Sequence, residues 1–170
     1  MPTDTAKEKM RISFDLDEVL FVNPETHKTE PPLPPPFRHI FKERLRSGTP
    51  DLIHTLQDQG YEVWVYTSSF RSETYIKNLF RHYGIRFDGI INGTRHLKEV
   101  QKGRTQILPQ KVPNKYRISL HVDDEAVVLS YGRQFGFDTY QLNAEDDEWK
   151  DKIIAKAASV KKKWDRNHNF

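Results

Sequence analysis

Short apolar runs alternate along this chain with segments whose apolar residues recur every three or four positions. Residues 11–16 (RISFDL) read as a buried strand that ends in acid, and 61–66 (YEVWVY), rich in β-branched and aromatic residues, as a second. Residues 87–91, 117–122 (RISLHV) and 137–142 supply three further strands. Between them lie helical patterns. Residues 50–59 begin with Pro50 in a first turn and stop at Gly60, and 72–83 carry Tyr75, Ile76, Leu79 and Phe80 as one stripe before Gly84. Residues 125–135 form another helix, ending at Gly136. A last helix follows residues 145–148 (EDDE), its apolar face made by Trp149, Ile153, Ile154, Ala157, Val160 and Trp164. Strands separated by helices need parallel crossovers, which put helices on both faces of one sheet. The predicted fold is α/β: a doubly wound, three-layer, Rossmann-like parallel sheet of about five strands.

The 170 residues suit one domain: a leader at 1–9, a core at 10–144, and a C-terminal amphipathic helix with a basic tail at 145–170 belonging to the same unit. Residues 21–49 hold Pro24, Pro31, Pro32, Pro34, Pro35 and Pro36 and then a short helical piece over 37–46. That is the size of a stiff flap rather than a folded domain, and 92–110 are equally short. The PPLPPP run suits a rigid spacer at this place better than a ligand for an SH3-like groove.

The chain has no cysteine, which excludes disulfides, thiolate metal sites, Fe–S clusters and thiol nucleophiles. Basic residues number 27 against 24 acidic, and many of them crowd the last helix, from Lys150 to Arg166. With acids opening that helix and lysines closing it, the charges suit its dipole; a docked helix is the first reading and a nucleic-acid surface the second. No stretch approaches the roughly 18 apolar residues of a membrane span, and MPTDTAKEKM lacks the apolar centre of a signal peptide. The expectation is a soluble cytoplasmic protein without a membrane partner.

In doubly wound sheets function gathers at the carboxyl ends of the strands. Strand one ends in Asp15-Leu16-Asp17-Glu18, strand two in Thr67-Ser68-Ser69, and strand four in His121-Val122-Asp123-Asp124. Four convergent carboxylates repel one another unless a cation lies among them, and oxygen-only ligands suit Mg²⁺. Hydroxyls and backbone N–H groups from Thr67 to Ser72 can hold phosphate oxygens. The chemistry suggested is phosphoryl transfer, with an aspartate as its nucleophile. His121 alternates with Asp123 and reads as a hydrogen-bonded core histidine rather than a ligand; Tyr66 reads as packing, and Arg71 as a rim residue able to touch a substrate anion.

These motifs resemble those of the haloacid dehalogenase (HAD) superfamily of aspartate-nucleophile phosphatases and phosphotransferases. Residues 14–20 (FDLDEVL) look like its first motif, 63–67 (VWVYT) like its second, and 120–124 (LHVDD) like its fourth. The resemblance spans about residues 11–142 and implies a capless member with an open site. It implies that Asp15 attacks phosphorus and binds Mg²⁺. Asp17 then serves as general acid and base with its carbonyl on the metal, while Thr67, with Ser68, holds phosphate. Asp123 and Asp124 complete the metal site, one directly and one through water. The family's lysine is Lys111, Lys115 or Lys102, with Lys98 a further candidate; Lys111, between Pro109 and Pro113, is the preferred choice, since Gly103 and Pro109 argue against a helix after Lys102. The implied activity is Mg²⁺-dependent hydrolysis of a phosphate ester on a protein, a nucleic-acid end or a small molecule. The alternative is a non-catalytic module of the same fold that binds through its basic helix or proline run.

Overall fold

The structure is a computed structural model that describes residues 7–102 and 111–168. Five strands, β1 (Arg11–Phe14), β2 (Glu62–Tyr66), β3 (Gly89–Ile91), β4 (Ile118–Asp123) and β5 (Asp138–Gln141), form one sheet in the order β3-β2-β1-β4-β5. Every pairing is parallel. The chain winds outward from β1 to β3, then returns to lay β4 on the other side of β1. The carboxyl ends of β1 and β4 therefore flank the point where the winding reverses, which is where an open α/β sheet leaves a crevice.

Alternation along the strands sorts side chains to two faces. Ile12, Phe14, Val63, Val65, Leu120 and Val122 enter the main core, with Leu52, Ile53 and Leu56 of α2 (Thr49–Asp58), Ile76, Leu79 and Phe80 of α3 (Glu73–His82), and Ile153, Ala157 and Val160 of α6 (Trp149–His168). Trp64 and Tyr66 face the other way, against Val100, Val112 and Tyr116. This second face is covered by α4 (Gly93–His96), a π-helical turn (Leu97–Gln101) and a 3₁₀ turn (Pro113–Tyr116). A fifth helix, α5 (Val127–Phe135), leads into β5 through Gly136, whose φ of +82° ends it in the left-handed conformation. Ser72 caps α3, its hydroxyl accepting the Tyr75 N–H at 3.0 Å.

Several lysines of α6 are engaged at the surface: Lys150 with Asp51, Lys152 with Asp146, Lys161 with Asp165, and Lys163 with Asp138. Among the described residues no helix is long and apolar enough to cross a membrane. Residues 1–6 of the expected leader, 103–110 of the expected short connection with Gly103 and Pro109, and 169–170 lie outside the described residues.

The helix expected over 37–46 is corrected by the structure. It stops after one turn, α1 (Phe37–Ile40), and Phe41 is extended at φ −108°, ψ 98°. Leu45 and Arg46 instead make antiparallel bridges to Phe21 and Thr29. The cause is tertiary: the extended path delivers the buried Arg46 guanidinium to the carbonyls of Val19 (2.8 Å), Glu18 (3.0 Å) and Ala144 (3.1 Å), with the Trp149 ring 5.4 Å away. Charge-assisted bonds of this kind are each worth about 1.5–3 kcal/mol. Arg46→Ala is expected to cost about 3 kcal/mol and to lower Tm by about 6–12 °C, read by thermal unfolding.

Candidate active site

The Asp15 N–H donates to the Val122 carbonyl at 3.0 Å, extending the β1–β4 ladder to the base of the site. Period-two alternation puts Asp15 on the same face as Ser13. Its side chain is buried, with Oδ1 accepting the Leu16 N–H at 2.8 Å. Beyond it the chain turns about one atom. The Leu16 carbonyl accepts from the N–H groups of Val19, Leu20 and Phe21, and Glu18 takes a left-handed φ of +63° to make the reversal. This turn swings Asp17 outward to the mouth, its side chain 55% exposed.

Asp17 meets a fork. Arg71 donates to its two oxygens at 3.0 and 3.1 Å, to Glu43 Oε1 at 3.0 Å and to Ser69 Oγ at 2.9 Å. The Tyr75 hydroxyl holds the other oxygen of Glu43 at 2.6 Å, and the Arg71 guanidinium lies 5.2 Å from the Phe21 ring. Hydrogen bonding to Asp17, against burial and with the Glu43 charge, raises the Arg71 pKa further. Arg71, read from the sequence as a rim residue able to touch a substrate anion, ties Asp17 to the segment after the proline run.

Across the switch point, β4 delivers Asp123, with Asp124 just beyond. Lys111 is the lysine brought to these acids: its buried ammonium lies 2.6 Å from Asp123 Oδ2 and 3.0 Å from Asp15 Oδ2. Lys115 turns to the Glu99 carbonyl at 2.6 Å, and Lys98 and Lys102 are exposed. Asp15, Asp123 and Asp124 bring one oxygen each within 4.8 Å of one another. Asp17, facing Arg71, lies outside that carboxylate group.

The electrostatics follow from this crowding. Burial, opposed by Lys111 and reinforced by Asp123, pushes the Asp15 carboxyl up to about 6. Burial and the neighbouring Asp123 push Asp124 up to about 6 as well. Asp123 goes the other way. Burial would raise it, yet hydrogen bonding from His121 and the Lys111 charge hold it well below the usual carboxylate range. Lys111 is raised despite burial, by the charges of Asp15 and Asp123. Three carboxylates with one ammonium leave an excess of negative charge on hard oxygen donors, and that donor set fits Mg²⁺.

Thr67 lies buried at the end of β2. Its N–H donates to the Ile91 carbonyl at 2.9 Å and its hydroxyl accepts the Ser69 N–H at 3.1 Å. Ser68 is exposed on the same loop, and the Gly93 N–H fixes the Ser69 carbonyl at 2.7 Å. A Cβ on Gly93 would stand 2.5 Å from the Ser68 carbonyl oxygen, so Gly93→Ala must displace this loop. The expected result is a loss of about 1–3 kcal/mol in stability, read by thermal unfolding.

Ser13, Glu43 and Arg46 escape sequence reasoning. Each acts on a residue 28 or more positions away or across a strand register, and carries no local motif.

Among solved structures, an uncharacterised protein from Listeria monocytogenes serotype 4b is similar at a TM-score of 0.50 and 17% identity, over 79% of this chain and 78% of that one. The chain shares its fold. A predicted HAD-like family hydrolase from Porphyromonas gingivalis is similar at a TM-score of 0.48 and 14% identity, over 88% of this chain and 98% of that one. A HAD family enzyme from Bacteroides thetaiotaomicron, in complex with magnesium and inorganic phosphate, is similar at 0.47 and 12% identity, over 82% and 97%. No protein-family model matches the chain, and no curated protein matches it.

Proposed function

We propose that this protein is a HAD-type phosphatase that hydrolyses phosphate monoesters through an aspartyl-phosphate on Asp15. The observation that carries this reading is the convergence of Lys111 on Asp15 and Asp123 at the carboxyl ends of β1 and β4. A loop lysine buried between two acids from separate strands has little structural purpose that apolar residues would not serve as well. At a phosphoryl-transfer site it has one, because positioning and charge stabilisation supply most of the catalysis there.

In this reading an Asp15 oxygen forms a bond to phosphorus while the ester oxygen leaves with the bonding pair, and Asp17 gives that oxygen a proton. Water then attacks the phosphorus of the aspartyl-phosphate, Asp17 takes its proton, and inorganic phosphate departs with Asp15 restored. Lys111 and the Thr67 hydroxyl hold phosphate oxygens, with Ser68 at the entrance. Asp15, Asp123 and Asp124 are the side chains that would hold Mg²⁺, which supplies charge neutralisation for the phosphate when bound. Arg71, bonded to both Asp17 oxygens here, would release one of them for the proton transfer.

Among the described residues the mouth of the site is open. Asp17 is half-exposed, Phe70 after the Thr67–Ser69 loop is 66% exposed, and residues 22–48 hold one helical turn rather than a folded cap. An exposed phosphate on a protein or a nucleic-acid end suits such a mouth, as does a small ester. The test is hydrolysis of an aryl phosphate, a phosphopeptide, a 5′-phosphorylated oligonucleotide and a sugar phosphate, each with Mg²⁺ and with a chelator. Turnover that needs Mg²⁺ is expected on at least one; silence across all four sinks the assignment.

A further inference from the structure

Beneath the acids lies a polar chain that the proposed chemistry does not use. Ser13 and His121 are register partners on β1 and β4, and both are completely buried. The Ser13 hydroxyl lies 2.7 Å from His121 Nδ1, and His121 Nε2 lies 2.9 Å from Asp123 Oδ2. That oxygen also receives the Lys111 ammonium, while Asp123 Oδ1 accepts the Glu125 N–H at 3.1 Å. A polar pair placed where the sheet otherwise buries apolar side chains calls for a physical reason.

The donor inventory assigns the hydrogens. Ionised Asp123 only accepts, so His121 Nε2 must carry the proton that bridges them. In a neutral ring Nδ1 is then an acceptor, and Ser13 is the donor that fills it. Ser13 thus selects the tautomer that His121 presents to Asp123.

We propose that the Ser13–His121 pair is a positioning device that holds the Asp123 carboxylate in its ligating orientation independently of Lys111. This rests on the phosphatase reading, in which Lys111 is drawn to the substrate phosphate. A lysine that leaves Asp123 Oδ2 for phosphate takes away one of the two donors to that oxygen, while the Glu125 N–H stays on Oδ1. His121 remains, locked by Ser13 and by complete burial, and the metal ligand does not swing as substrate arrives. Hydrogen bonds behind a ligating group commonly change metal affinity by about 10- to 100-fold.

The experiment measures Mn²⁺ binding to the full chain without substrate, by the loss of the free-ion electron paramagnetic resonance signal. It compares wild type with His121→Leu and His121→Gln, the latter keeping an N–H donor near the Nε2 position. Expected are Mn²⁺ affinity weakened about 10- to 100-fold in the Leu variant and restored to within a few-fold of wild type by Gln. Wild-type affinity in a folded Leu variant overturns the positioning role and leaves the phosphatase reading intact. A wild type that binds no Mn²⁺ but turns over phosphate ester overturns the positioning role and the Asp123 metal site with it. Should the Leu variant fail to fold, ¹⁵N chemical shifts of His121 in the wild type decide: a protonated Nε2 is required, and a bare Nε2 overturns the proposal.

Discussion

Asp15→Asn is expected to reduce phosphate-ester turnover by about 10³-fold or more while leaving the protein folded. Loss of a covalent nucleophile cannot be offset by the groups around it, and losses of this order or greater accompany such changes. The amide keeps the oxygen that accepts the Leu16 N–H, so the turn after β1 has its anchor. It also removes a buried charge. The Asp15 carboxyl is raised from 3.8 to about 6, first by burial, with Lys111 opposing and Asp123 adding. An acid raised in this way favours the folded state fully below its unfolded pKa, and that contribution is lost as pH climbs through about 6. Metal-free Asp15→Asn should therefore be at least as stable as wild type at about pH 7.5, and should lose that advantage toward pH 4. Rates with aryl phosphate and thermal unfolding at the two pH values measure both parts. Full activity in the variant removes the nucleophile, and the assignment with it.

Lys111→Met is expected to lose on both counts. The ammonium is buried between two acids, and removing one member of a buried charged group leaves the others unneutralised, at a cost of about 3–5 kcal/mol. For a chain of this length that is a Tm about 6–20 °C lower near neutral pH. The deficit should shrink on acidification, because Asp15 without its lysine takes up a proton more readily. Turnover should fall by about 10²- to 10³-fold, the usual effect of losing a donor aimed at developing charge. A variant with wild-type stability and rate would show Lys111 to be an ordinary surface lysine, contrary to its burial.

Periodicity and punctuation made most of the architecture legible. Gly84 and Gly136 as helix ends and the β-branched run ending at Tyr66 each act within a few residues, so local rules suffice. The stretch after the proline run was misread for the converse reason. Residues 41–46 are compatible with a helix, but Leu45 and Arg46 bridge to Phe21 and Thr29, and such partners have no local signature. The site divides along the same line. Acids and hydroxyls at strand ends are visible once the strands are placed. That Asp17 lies under Arg71, or that Ser13 stands opposite His121, depends on a fork reaching 54 positions back and on a strand register, neither of which one sequence displays.

The Arg46 guanidinium joins the carbonyls of Glu18 and Val19, in the turn that aims Asp17, to the carbonyl of Ala144, where the chain enters α6. The Arg46 guanidinium therefore fastens the approach to the last helix to the turn that carries Asp17, far apart as they are in sequence. Local opening of one is expected to release the other, so backbone amides in both should exchange with solvent at a common free energy. Whatever grips or loosens the C-terminal helix from outside would thereby act mechanically on the turn that carries Asp17.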